Sequence, residues 1–341
     1  MVQTLRIAAR EKSFYDPAVR AVRTQLRTAY EAFLLQDYHG AQDKQAEQCL
    51  WKTTMYAVIE EFRRRIKIAL AGGDDTKDNY LKARKACLLF LNEASLFYAL
   101  LVLKLQAAYG SVGFQLDFAD QAALDAALGS ALLPPRVATL DCRISVYRCL
   151  ICLGDLASAE GACGDGFGLS EVLVTGCRYY TLIEGGLNKK DWSKAEKYYL
   201  QAVSVFPEGG NSFNQLAVLA TYSDAALPAV YFYYRSLAVA HPFQVARENL
   251  LLLFEQNRVH YEQLAGSAGQ GTGGGSGGRA TAGRGRGRNR DPAQQQQKPR
   301  IPIAALLPKL SIRFVRVHGV LPSLKAAHTL SPWLPDILCS C

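Results

Sequence analysis

The chain has 341 residues, 49% of them hydrophobic, and a formal net charge of +9. That length suffices for one large domain or two ordinary ones with a full core. Nine cysteines, an odd number scattered through apolar text, exclude a disulfide framework and fit a reducing compartment.

Residues 1–13 carry Arg6, Arg10, Glu11 and Lys12 and lack an uninterrupted apolar stretch, so no secretory signal is read there. Trp51, Met55, Val58, Phe62 and Ile66 recur at helical spacing. Cys87, Leu91, Ala94, Tyr98, Leu101, Leu105 and Ala108 do the same until Gly110 stops the run. The apolar stretch around Leu88–Leu105 includes Asn92, Glu93 and Lys104, which predicts a buried helix and no membrane span. After the breaker Pro134-Pro135, a third stripe follows: Leu140, Ile144, Tyr147 and Ile151. Period-two alternation is nowhere sustained, and the predicted class is all-α.

The stretch "GDLASAEGACGDGFGLSEVLVTGCRYY" (154–180) interrupts this helical text with glycines. Beyond it, "DWSKAEKYYLQAVSVFP" (191–207) and "ALPAVYFYYRSLAVAHP" (226–242) superpose at an offset of 34 residues. Ala195 falls on Ala229, Tyr199 on Tyr233, Ala202 on Ser236, Leu216 on Leu250 and Leu219 on Leu253. A 34-residue period, with small residues where helices cross and Pro after the helix, is the tetratricopeptide signature. From about Gly266 the text collapses into Gly, Ser and Arg. Residues 259–300 hold seven basic residues against two acidic ones, more than half of the chain's excess charge. Such a segment buries too little to offset its ordering entropy and predicts a disordered linker. Apolar text resumes at "IPIAALLPKLSIRFVRVHGVL", and the last 20 residues show no clear period.

Catalytic chemistry finds little support. His39, His241, His260, His318 and His328 lie far apart, and none has an acidic residue at useful spacing. Cys149 and Cys152 form a CxxC inside a helical stripe with no second ligand pair, so they are read as buried structural residues. The glycines of 161–168 lack a preceding strand and a Gly-Lys-Ser/Thr ending and form no phosphate loop. Lys52, Tyr56, Arg63 and Lys67 share a helix face partly neutralised by Glu60. That face is either a solvated surface or a wall that grips an anion. The Arg-Gly segment is either an RNA contact or a plain tether.

The blocks "CLWKTTMYAVIEEFR", "GDLA…RYY" and "FNQLAVLATYSDAALPAVYFYYRSLAVAHPFQVARENLLLLFE" resemble the ever-shorter-telomeres family, which includes the SMG-type adaptors of nonsense-mediated mRNA decay. The resemblance covers about residues 40–257, with an echo in "RFVRVHGVL". It implies a 14-3-3-like helical bundle continuing into tetratricopeptide-type hairpins, an α-solenoid, that binds phosphoserine or phosphothreonine of a phosphorylated decay helicase. It implies a Lys on one helix as a phosphate ligand and, on the next, an Arg within Gly-Asp-x-x-Arg-Tyr. Here the first position falls on Tyr56. The second pattern is split, with Gly154-Asp155 on one side and Arg178-Tyr179 on the other, as though Ser158–Cys177 were a 20-residue insertion. That insertion is either a remnant of imperfect gene processing or a genuine loop, and its glycines are expected to halt the helix at Ala157 or soon after. Arg63 matches a second phosphate-gripping Arg of 14-3-3 proteins, and Arg64 is adjacent.

The resulting expectation is a non-enzymatic decay adaptor whose phosphopeptide site comprises Arg178, Arg63, Tyr56, Tyr179 and Arg64. No cofactor, no metal and no membrane are expected. Its expected partners are the phosphorylated RNA helicase, other decay adaptors, and telomerase RNA or mRNA through the Arg-Gly segment, in cytoplasm and nucleus. The alternatives are a telomerase-associated nucleic-acid-binding role and a generic tetratricopeptide peptide scaffold. The expected domains are 1–257 helical, 258–300 linker, 301–320 the start of a truncated second helical domain, and 321–341 an unassigned tail.

Overall fold

The computed structural model describes residues 16–72, 77–113, 115–118, 120–130, 134, 140–162, 170–174, 177–181, 191–269 and 315. The protein is all-α, a 14-3-3-like bundle continuing into tetratricopeptide-type hairpins, with one short β-hairpin. Of the expected linker, residues 258–269 are described and helical; its remainder, the second-domain start (Val315 apart) and the tail lie outside the described residues.

Helix α1 (Pro17–Gln36) begins where the Asp16 carboxylate accepts a 2.8 Å bond from the Ala18 amide and Pro17 takes the first turn. Asp37 then caps α2 (Tyr38–Asp43), accepting a 3.0 Å bond from the Gly40 amide. Helix α3 (Ala46–Leu50) runs through a π-helical stretch, Trp51–Tyr56, into α4 (Ala57–Ala71). A π-turn is wider than an α-turn, so residues four apart there come close to the same side.

Helix α5 (Lys77–Tyr109) is long and apolar enough to cross a membrane by length and composition alone. Its predicted stripe from Cys87 to Ala108 is buried throughout, and the helix packs against α1, α4 and α7. Two of its charges are paired across the bundle, Glu93 with Arg27 at 2.9 Å and Lys104 with Glu31. Helix α6 (Gln121–Ser130) follows.

Helix α7 (Arg143–Ala162) occupies the centre of the bundle. Val146, Cys149, Leu150, Leu153, Leu156 and Ala159 are all buried. Of the third sequence stripe, Tyr147 and Ile151 are buried, but Ile144 is 39% exposed. A helix that is apolar all round gives periodicity no single face to report. Gly154 lies beneath the Tyr199 ring of α8 (Ser193–Val205), where a Cβ would come within 2.2 Å of Cε1, and this close approach sets the α7–α8 crossing.

Helix α7 continues five residues past Ala157 and ends at Ala162. Strands β1 (Ser170–Val174) and β2 (Cys177–Thr181) then form an antiparallel hairpin in which Val172 pairs with Tyr179 and Leu173 with Arg178. The chain rejoins the bundle beside the point where it left. Lys194 at the start of α8 contacts Glu160 near the end of α7, at 2.6 Å.

Helices α9 (Gly210–Tyr222), α10 (Ala226–Ala238) and α11 (Val245–Gly269) complete the described chain. The 34-residue repeat has a physical counterpart in burial. Ala195 and Ala229, Tyr199 and Tyr233, Ala202 and Ser236, Leu216 and Leu250, and Leu219 and Leu253 are all buried. The described residues fall into two compact units, one up to Leu219 together with Phe232–Ala246, the other Ala220–Tyr231 with the residues from Arg247. In the second unit, Arg258 bridges Glu255 and Glu262 along α11, each at 2.6 Å.

Candidate functional site

In the first unit, one face of α7 opens onto a groove of about 950 Å³. Ile144, Tyr147, Arg148, Ile151, Cys152 and Asp155 line it at helical spacing. Ile144, Tyr147 and Ile151 of the third sequence stripe thus lie on this groove face. Opposite lie Glu47, Gln48, Trp51, Lys52 and Tyr56 from α3 and the π-helical stretch, and the third wall is the segment Phe206–Asn211 with His241 and Phe243.

Two carboxylates organise the floor, Glu47 buried and Asp155 half-buried. Glu47 accepts from Gln42 at 2.6 Å, from the Ser145 hydroxyl, and from Arg148 Nη1 at 3.2 Å. Arg148 Nη1 also donates to Gln42 Oε1 at 2.7 Å. Asp155 Oδ1 accepts from the Tyr199 hydroxyl at 2.7 Å and from Gln215 Nε2 at 2.6 Å. Burial pushes the Asp155 carboxyl up to about 7, against the opposing pull of those two hydrogen bonds and of the Arg63 charge.

The third wall depends on a close backbone approach. The Gly210 amide donates to the His241 carbonyl at 2.9 Å, and the His241 amide to the Glu208 carbonyl at 2.9 Å. A Cβ on Gly210 would stand 2.4 Å from the Ser236 carbonyl oxygen and 2.6 Å from the Phe243 nitrogen. The His241 ring stacks on Phe206 at 5.5 Å. Asn211 Oδ1 is buried and accepts no hydrogen bond among the described residues.

The expected site residues fall in three places. Tyr56 lines the groove with Lys52. Arg63 is one-sixth exposed on α4, pairs with Glu60 at 2.7 Å, and acts electrostatically on Asp155. Arg64 is exposed and forked onto Glu61, with both bonds at 2.8 Å. Arg178 and Tyr179 are on β2, and Ser158 stands on α7 three residues after Asp155, where the family's pattern has its Arg. Arg148, Asp155, Asn211 and His241 were missed. The signal for two of them was their spacing, since Arg148 lies two turns before Asp155 on the stripe that also carries Ile144 and Ile151.

Cys149 and Cys152 are buried free thiols, and burial pushes both well above the usual range, which keeps them protonated. Among the described residues no three His, Cys, Asp or Glu side chains come together as metal ligands.

Two family models match, one described as telomerase activating protein Est1 over residues 45–158, the other as Est1 DNA/RNA binding domain over residues 195–334. The nonsense-mediated mRNA decay factor SMG7 of Arabidopsis thaliana is 32% identical over 87% of this chain, and the telomerase-binding protein EST1A of Danio rerio is 32% identical over 71%. The chain belongs to the Est1/SMG family. It spans 27% of the length of that SMG7 and 13% of that EST1A. A crystal structure of Est1 and Cdc13 holds a chain that superposes with TM-score 0.53 at 14% identity, covering 79% of this chain and 50% of that one. This likeness shows the shared helical fold. The two Est1/SMG models leave 159–194 between them unmatched, and the β-hairpin lies inside that gap.

Proposed function

We propose that this chain is an adaptor of nonsense-mediated mRNA decay that binds an extended phosphoserine or phosphothreonine segment in the α7 groove and catalyses no reaction itself. The reading rests on family membership and, above all, on one feature of the groove: cations and a buried amide acceptor line a cleft that also holds aromatic and aliphatic side chains and the carboxylates Glu47 and Asp155. Lys52 and Arg148 line it, with Arg63 near Asp155. Arginine supplies five N–H donors in a fork suited to phosphate. Asn211 Oδ1, which has no donor from the described residues, suits a peptide N–H.

Tyr56 brings a hydroxyl in place of the charged Lys implied by the family. Arg178 and Tyr179 enter the proposal through the resemblance, and Arg64 as a lesser contributor beside Arg63. The phosphorylated decay helicase as ligand, other decay adaptors as partners, and a cytoplasmic and nuclear location belong to the same proposal.

Fluorescence anisotropy with matched phosphorylated and unphosphorylated peptides tests it. Binding should favour the phosphopeptide at least tenfold, and Arg63→Glu or Lys52→Glu should each remove more than tenfold of the affinity. Equal affinity for the two peptides would sink the proposal.

A second reading comes from the DNA/RNA-binding description of the model over 195–334 and the arginines between 279 and 290. It predicts salt-dependent RNA binding by the full chain that is lost when Arg279, Arg284, Arg286, Arg288 and Arg290 become Gln.

A further inference from the structure

On another face of the first unit, α1 carries Arg20, Arg23 and Arg27 at spacings of three and four, which places them on one side of the helix. They surround a pocket of about 230 Å³ whose remaining walls are Val58 and Phe62 of α4 and Leu89, Phe90 and Glu93 of α5. The Arg23 guanidinium lies over the Phe90 ring at 5.7 Å, and that of Arg27 over Phe97 at 5.0 Å. Arg27 also donates to Glu93 at 2.9 Å. Among the described residues Glu93 is the one acid lining the pocket, alongside the three guanidiniums.

We infer that this pocket is a second anion site, which takes a phosphoryl group on a short apolar stem. Three arginines against Glu93 leave an excess of two positive charges, the match for a phosphate monoester dianion. Guanidiniums gather such an anion through several N–H donors at once. The aromatic and aliphatic walls cover the stem, and the volume admits one such group with little besides. The electrostatics agree. Burial, together with repulsion from Arg20 and Arg27, depresses Arg23 to about 10, against the attraction of Glu93. A bound dianion would reverse that repulsion. Arg23 is partly withdrawn from water while Arg20 stays exposed at the mouth, so the two have different parts: Arg20 draws the anion in and Arg23 holds it.

The site is independent of the α7 groove, and its test is arranged to keep the two apart. Phenyl phosphate is titrated calorimetrically into full-length protein carrying Lys52→Glu, so that heat from the groove is suppressed. Arg23→Met and Arg20→Gln are then added singly to that background. Each is expected to weaken phenyl phosphate binding at least fivefold, with Arg23→Met the stronger. If Arg23→Met fails to fold, the exposed Arg20→Gln still decides the matter. Unchanged affinity in Arg20→Gln, or no binding to the Lys52→Glu protein at all, would overturn the inference. Inorganic phosphate and a phosphotyrosine peptide form two further arms. Tighter binding of the peptide than of phenyl phosphate assigns the site to a protein ligand, equal binding assigns it to a small phosphate ester, and inorganic phosphate reports the contribution of the stem.

Discussion

The α7 groove and the α1–α5 pocket both carry arginines, but they hold them differently. Around the groove two of the basic groups, Arg148 and Arg63, meet acids already in place. Arg148 reaches Glu47, Arg63 pairs with Glu60, and Asp155 lies within the influence of Arg63. In the pocket Arg27 is bonded to Glu93, and Arg20 and Arg23 line the same walls. A pre-paired cation must exchange one anion for another when a ligand arrives, so it gives selectivity for shape and length. A set of crowded cations gains from almost any dianion that fits. The large groove is therefore suited to a segment of chain and the small pocket to a single group.

The widest separation between the two regions should come from Gly210→Ala. Alanine is the better helix former by about 1 kcal/mol, but its Cβ would meet backbone atoms of Ser236 and Phe243 at 2.4 and 2.6 Å. Overpacking against backbone wins, at a cost of about 3 kcal/mol. Chemical denaturation should show that loss, while phenyl phosphate binding at the α1–α5 pocket persists under native conditions. Loss of both together would mean that the two regions are not separable.

A second effect tests the groove floor alone. Burial raises Asp155 from the ordinary 3.8 to about 7, so the folded protein keeps a proton that the unfolded chain releases. Stability is therefore fullest below about pH 4 and is lost as pH rises to about 7. Between pH 5 and pH 8 this group should remove about 3 kcal/mol. Asp155→Asn keeps an acceptor for Tyr199 and Gln215 and should flatten that part of the denaturation profile. An unchanged slope would place the titration elsewhere. The smallest effect is expected from Arg64→Gln. Its guanidinium is exposed and forked onto Glu61, so phosphopeptide affinity should fall about twofold, well short of the loss in Arg63→Glu.

Much of the fold was legible because burial and spacing coincide. The stripe from Cys87 to Ala108 and the five residue pairs of the 34-residue repeat are buried where their periodicity placed them. The groove was harder to read for three physical reasons. Ile144, Tyr147 and Ile151 sit on a helix with apolar residues on every side, so periodicity found their face without saying that it borders a cleft. Spacing places Lys52 and Tyr56 on one face, but nothing in the sequence marks the π-helical stretch that carries them, and Asn211 and His241 join them only through the fold. Gly210 carries no mark in the sequence because the atoms that exclude a side chain come from residues 236 and 243. The spacing of Arg20, Arg23 and Arg27 was visible from the start, but the aromatic walls that make it a pocket were not.

The most direct measurement is a crystal structure of the full chain with a phosphoserine peptide. The phosphate should lie in the α7 groove within hydrogen-bond reach of Lys52 and of Arg148 or Arg63, with a peptide N–H donating to Asn211 Oδ1. A peptide seated on any other surface, with that cleft vacant, would contradict the account.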